Sequence, residues 1–223
     1  MGNFDESLFK TYALIRNKEF RELMAKSGVT AVLSDTEIDQ LCNQDEDHPL
    51  IAPFQAVPVK NNVVSYGLGH YGYDFRLGFK FMAYGDGVRD PKQKSELVPI
   101  DYSHKGLGSE KPQYATIGPN DALLGHTLET FDMPKDLMGI CFGKSTFARL
   151  GLIVNTTPIE PGWKGQITLC LVNPTNYPIR IYPGEGIGQI VFFRGLPVNK
   201  DYADKGGKYQ NSTGIVGAKI DAG

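Results

Sequence analysis

After Val63 the chain is cut repeatedly by turn-forming pairs, and this punctuation limits its fold more than any other feature. Asp86-Gly87, Gly118-Pro119, Asn173-Pro174 and Pro183-Gly184 are pairs in which glycine permits a left-handed backbone and proline presets φ. Between such signals lie short apolar or alternating segments at 75–81, 122–130, 138–142, 165–173, 179–182 and 188–193. Segments of this length and pattern predict strands. They do not alternate with stretches of about 10–15 residues at helical spacing, so the pattern predicts antiparallel sheets in a sandwich or jelly-roll arrangement. The 26 glycines and 14 prolines among 223 residues supply the many turns that this fold class needs.

The N-terminal part reads differently. Leu8, Leu14, Ile15, Phe20, Leu23 and Met24 recur at roughly helical spacing, with Gly28 as a stop. A second short helix is expected near 36–42, and 51–59 reads as extended chain broken by Pro53 and Pro58. The polar stretch 101–113 reads as a surface excursion, and 202–223, rich in Gly, Lys and small polar residues, as a mobile arm. The expected division is a helical segment over 1–55, a β domain over 56–200 and an arm over 201–223.

Composition narrows the function. The net charge of −2 argues against a bulk electrostatic grip on nucleic acid or on an anionic membrane. Cys42, Cys141 and Cys170 are odd in number and far apart, which fits a reducing compartment better than a disulfide framework or a zinc knuckle. No run approaches about 18 apolar residues and no apolar signal core opens the chain, so a cytoplasmic protein is expected. His48, His70, His104 and His126 share no ligand spacing, and HExxH, GxSxG and the zinc-deaminase pattern are absent from the sequence.

Five segments hold residues suited to chemistry. Gly143-Lys144-Ser145-Thr146-Phe147-Ala148-Arg149 combines two cations, two hydroxyls and a glycine directly after an apolar strand. A phosphate group is bound by such a mixture of amide and hydroxyl donors with cations. The Walker A spacing is absent, and a solvated turn opening a short helix is the structural alternative. Asn155 to Gly165 holds two prolines, two glycines and the only tryptophan, Trp163. It can present backbone groups to a base edge and a carboxylate to a sugar or a water, or it can be a hairpin connection with a half-buried indole. In the glycine- and tyrosine-rich stretch 65–78, Asp74 and Arg76 are a candidate ion pair, and Asp74 is expected to orient its neighbours. Gln189 is a packed strand residue or a hydrogen-bonding group across a site. Tyr202, Lys205, Lys208 and Tyr209 lie where an arm can close over phosphates.

Taken in order, these segments resemble the dCTP deaminase family within the wider trimeric dUTPase-like superfamily. The resemblance is carried by VSYGLGHYGYDFRLG in the 63–78 region, CFGKSTFARLGLIVNTTPIEPGWKGQITL (141–169), PGEGIGQIVFF (183–193) and YADKGGKYQ (202–210). It implies a distorted jelly roll or β-barrel, a homotrimer, sites shared between subunits, and magnesium bound with the nucleotide triphosphate rather than by protein ligands. It implies that Lys144, Ser145, Thr146 and Lys208 bind phosphates and that Arg149 lies near the attacking water and the base. It assigns Thr156, Thr157, Glu160, Gln189 and Tyr202 to the base and sugar, with Tyr202 and Lys208 closing the site. The implied ligand is dCTP or dUTP, with dTTP as a candidate inhibitor.

Two positions depart from the family pattern. Its catalytic glutamate, in T-L-E, is replaced here in Thr168-Leu169-Cys170, and KYQGQ becomes Lys208-Tyr209-Gln210-Asn211-Ser212. Deamination needs a group that moves protons between water and the ring, which typically contributes about 10²–10⁴-fold. A buried cysteine is poorly suited to that task. Three readings follow: hydrolytic deamination of dCTP, diphosphohydrolysis of a pyrimidine dNTP with Glu160 or Asp74 holding the water, and nucleotide binding without turnover.

Overall fold

Antiparallel pairing of short strands builds the molecule, as the turn spacing predicts. The computed structural model describes residues 31–93, 96–100 and 114–220. The helical spacing within 5–28 and the polar excursion at 101–113 lie outside the described residues. Helix α1 (Asp35–Asn43) opens with a capping box between Ser34 and Glu37, and it buries Ile38 and Cys42.

One four-stranded sheet has the order β2 (Gly67–Leu68), β3 (Tyr73–Arg76), β14 (Gly186–Arg194), β9 (Leu137–Gly143). A five-stranded sheet has the order β10 (Ile153–Asn155), β12 (Thr168–Asn173), β7 (Asp121–His126), β4 (Phe81–Tyr84), β5 (Leu97–Ile100). Among the described residues there are two smaller sheets. One joins β1 (Ile51–Ala52), β8 (Thr130–Asp132) and β11 (Lys164–Gly165), and the other pairs β13 (Ile179–Ile181) with β6 (Ala115–Ile117). The result is a mainly β, jelly-roll type architecture. Its core holds the fully buried Tyr73, Phe75, Phe131, Leu137, Leu169, Leu171, Ile190 and Phe192.

Several expected strands are interrupted, each by a polar or close-packed feature. The expected strand at 75–81 splits into β3 and β4, because Leu77 and Gly78 donate their amides to Glu185 and His126 carbonyls. The one at 122–130 splits into β7 and β8 where the Thr127 hydroxyl donates to the Glu129 carbonyl. The one at 165–173 splits into β11 and β12 where the Gln166 amide turns to the Ser212 carbonyl. Strands β2, β5, β6 and β10 have no counterpart among the expected segments.

The expected Asp74–Arg76 pair does not form. Residues two apart on a strand are about 6.6 Å apart, farther than cross-strand neighbours. Asp74 pairs with Lys144, while the Arg76 guanidinium donates to the Glu129 carboxylate at 2.7 Å. Glu129 is fully buried and also accepts from the Arg76 amide and the Tyr73 hydroxyl. Burial pushes its carboxyl above the ordinary value, and Arg76 opposes that shift.

Candidate active site

Strand β12 positions the centre of the candidate site. Its alternation buries Leu169, Leu171 and Asn173 and turns Thr168, Cys170 and Val172 to the other face. Cys170 lies opposite Leu124 on β7 and opposite Asn155 on β10. Side chains directly opposite in an antiparallel pair share a face, so these three residues meet there.

A cavity of about 530 Å³ opens on this face, lined by Leu124, Thr168 and Cys170 from the sheet and by residues 155–160 of the connecting loop. Trp163, Gln166 and Ile167 continue the wall, and Tyr202, Tyr209, Ser212 and Val216 of the C-terminal segment close it. Among the described residues Glu160 is the one carboxylate lining it. Among the described residues nothing is hydrogen-bonded to the side chains of Glu160, Thr157 or Asn155. These groups are free to meet a ligand. Burial pushes the Cys141 thiol up to about 12, and the Thr156 side chain opposes that shift.

The C-terminal segment was expected to be a mobile arm, but it runs as turns hydrogen-bonded to the body. The Trp163 indole donates to the Tyr209 carbonyl at 2.9 Å, and the Asn211 amide to the Lys164 carbonyl at 2.8 Å. The Gly214 amide donates to the Gln166 side chain, and the Val216 amide to the Thr168 hydroxyl at 3.0 Å. Gly165 makes this approach possible: it has φ +150, and a Cβ there would stand 2.7 Å from the Ser212 carbonyl oxygen. The arm therefore covers Trp163, which is 7% exposed rather than half-buried.

The phosphate-type segment sits elsewhere on the same chain. Residues Ser145–Arg149 form the short helix α2, the structural alternative for this stretch. Ser145, Thr146 and Arg149 are exposed, and the Arg149 guanidinium donates to the Ser145 carbonyl at 2.9 Å. Lys144 is buried against Asp74. Thr146 lines a second, open cavity of about 580 Å³ with Lys60, Ser65, Tyr182 and Glu185. Gln189 is a β14 strand residue in register with Asp74 and Phe142 and lines neither cavity. The Lys208 amine donates to the Lys219 carbonyl at 3.4 Å.

The structure thus gathers Thr156, Thr157, Glu160, Cys170 and Tyr202 around one cavity and leaves Lys144, Ser145, Thr146, Arg149, Gln189 and Lys208 off its wall. Sequence reading missed Leu124, Gln166, Thr168, Ser212 and Val216. The two-residue period of β12 gives a signal for Thr168, because a residue two before Cys170 shares its face. Among the described residues no group of three or more His, Cys, Asp or Glu is placed to hold a metal ion. No helix among them is long and apolar enough to cross a membrane.

A family model for dCTP deaminase-like proteins matches residues 32–195. A dCTP deaminase of Helicobacter pylori is 44% identical over 179 residues, covering 78% of this chain and 92% of the relative. A dCTP deaminase of Campylobacter fetus is 42% identical over 181 residues, with coverage of 79% and 93%. Among solved structures, a 2'-deoxycytidine 5'-triphosphate deaminase from Agrobacterium tumefaciens superimposes with a TM-score of 0.54 at 19% identity. That match spans 74% of this chain and 48% of the other, and is a likeness of fold.

Proposed function

Because the chain belongs to the dCTP deaminase-like family, we propose that it is a hydrolase acting on a pyrimidine deoxynucleoside triphosphate. One observation carries this reading: the cavity that unites a neutral strand floor, the 155–160 loop and the arm around one free carboxylate. Its volume suits a base and sugar, and small-molecule sites of about 300–1,000 Å³ are the rule. In this reading the 156–158 backbone and Thr157 meet the base, Glu160 meets the deoxyribose, and Tyr202 closes the side of the cavity.

Ser145, Thr146 and Arg149 do not line the cavity of their own chain. We assign them to the triphosphate of a nucleotide held mainly by another copy, within a homotrimer. Magnesium enters the proposal as the triphosphate's counter-ion, neutralising phosphate charge.

Deamination of dCTP is the reaction to test first. Cys170 favours a second reading, because a thiol on the floor is a poor proton shuttle. That reading is release of pyrophosphate, with Glu160 holding the water, or binding without turnover. The pure protein is incubated with dCTP, dUTP and their methylated analogues in magnesium. Ammonia release from dCTP supports deamination, and pyrophosphate release supports the second route. We expect Cys170→Glu to raise ammonia release by about 10²-fold or more. Calorimetry that finds no uptake of either nucleotide would sink the whole proposal.

A further inference from the structure

Cys170 lines the cavity and has a hydrogen-bonding partner behind it. Met82 on β4 lies opposite Leu124, so Tyr84, two residues on, shares the face that carries Leu124 and Cys170. The Tyr84 hydroxyl lies 3.5 Å from the Cys170 sulfur, and either atom can be the donor. The Arg89 guanidinium packs over the Tyr84 ring at 4.0 Å. Burial, reinforced by Cys170, pushes the Tyr84 phenol up to about 12, so it carries its proton at neutral pH.

A thiol and a phenol each have one rotatable proton and can each accept. When Tyr84 donates to sulfur, the thiol proton turns toward the cavity. When the thiol donates to the phenol oxygen, the cavity meets a sulfur lone pair. We infer that Tyr84 and Cys170 form a floor of reversible hydrogen-bond direction, which lets the pocket take pyrimidine bases bearing either an amino group or a carbonyl at the edge that reaches it. Tyr84 is the positioning residue of this pair and acts through the thiol. The inference rests on the reading that the cavity holds the base. A carboxylate at position 170 only accepts, and selects the amino edge. The thiol–phenol pair bonds weakly in both directions and selects little.

The test is calorimetry at neutral pH in magnesium with the α,β-imido analogues of dCTP and dUTP. The wild-type protein is expected to bind both within about tenfold, as weak and reversible hydrogen bonds imply. Tyr84→Phe removes the acceptor for the thiol proton, and is expected to tilt the ratio toward the uracil analogue by about threefold or more. Cys170→Glu is expected to tilt it toward the cytosine analogue by about tenfold or more. Cys170→Ser keeps a group with both directions and should keep the wild-type ratio. An unchanged urea midpoint for Tyr84→Phe separates an altered floor from a protein that merely folds badly. A wild-type preference above about 100-fold, or a Tyr84→Phe ratio equal to wild type, overturns this inference and leaves the pocket reading intact. Failure of the wild type to bind either analogue overturns the pocket reading itself.

Discussion

Glu129 and Glu160 are carboxylates on the same β-rich body, surrounded in opposite ways. Glu129 is fully buried, and its oxygens accept from the Arg76 side chain, the Arg76 amide and the Tyr73 hydroxyl. Asn173 is treated alike: its buried amide donates to the Ile117, Gly118 and Tyr177 carbonyls and accepts from Thr175. Glu160 is exposed on the cavity wall, with no partner for its carboxylate among the described residues. Polar groups that hold the fold have their hydrogen-bonding capacity filled from within. Those that serve a ligand are left with capacity to spare.

The largest expected effect breaks this contrast from the structural side. Glu129→Ala leaves the Arg76 guanidinium beside an empty pocket and should cost about 3–5 kcal/mol in urea denaturation. Glu160→Ala should stay within about 0.5 kcal/mol of wild type while weakening nucleotide binding. Equal destabilisation by the two variants would abolish the distinction.

The Lys144–Asp74 pair stands between these extremes. Both groups are mostly buried, yet Asp74 keeps 24% side-chain exposure beside the hydroxyl-bearing helix α2. Asp74→Asn removes the neutralising charge and should cost about 1.5–3 kcal/mol, the range for a hydrogen bond to a charged group. It also uncovers the Lys144 cation. Triphosphate affinity should therefore rise at low salt and fall more steeply as salt is added, with the monophosphate less affected. A salt dependence identical to wild type would remove Lys144 from the phosphate-binding set.

The strands at 138–142 and 188–193 and the turn pairs were legible because short apolar runs and punctuation are local properties. The sequence order of the segments pointed to the loop that begins at Asn155 and to Cys170, and both line the candidate cavity. What stayed hidden depends on register between distant strands. Tyr84 and Cys170 lie 86 residues apart, and Arg76 and Glu129 lie 53 apart, so nothing in either neighbourhood announces its partner. The Asp74–Arg76 expectation failed for the same reason, since spacing along one strand says nothing about what the next strand offers. The docking of the arm was not legible because its composition is that of a solvated tail. Its docking depends on Gly165 and on Trp163, Gln166 and Thr168 elsewhere in the chain.

His126 belongs to neither class and gives the smallest expected effect. It is 7% exposed, on the face it shares with Thr168 and Leu124. Its Nδ1 lies 2.8 Å from the Thr127 carbonyl, which only accepts, so Nδ1 carries the proton. Nε2 is buried without a partner among the described residues, against Gly78. Burial first, and then the Lys80 charge, hold this imidazole below its ordinary 6.5. In the unfolded chain the ring takes up a proton near 6.5, whereas the folded chain resists until lower pH. Between those two values the unfolded state binds more protons, so stability rises with pH through that window and is level above it. Acidification from pH 7.5 to 5.5 should therefore destabilise the wild type more than His126→Gln. The difference in slope is bounded by about 1.4 kcal/mol per pH unit, the limit for one titrating group. Urea midpoints at both pH values measure it. Equal slopes would mean that Nε2 finds a partner on protonation, and that this corner of the sheet is satisfied in the way Glu129 is.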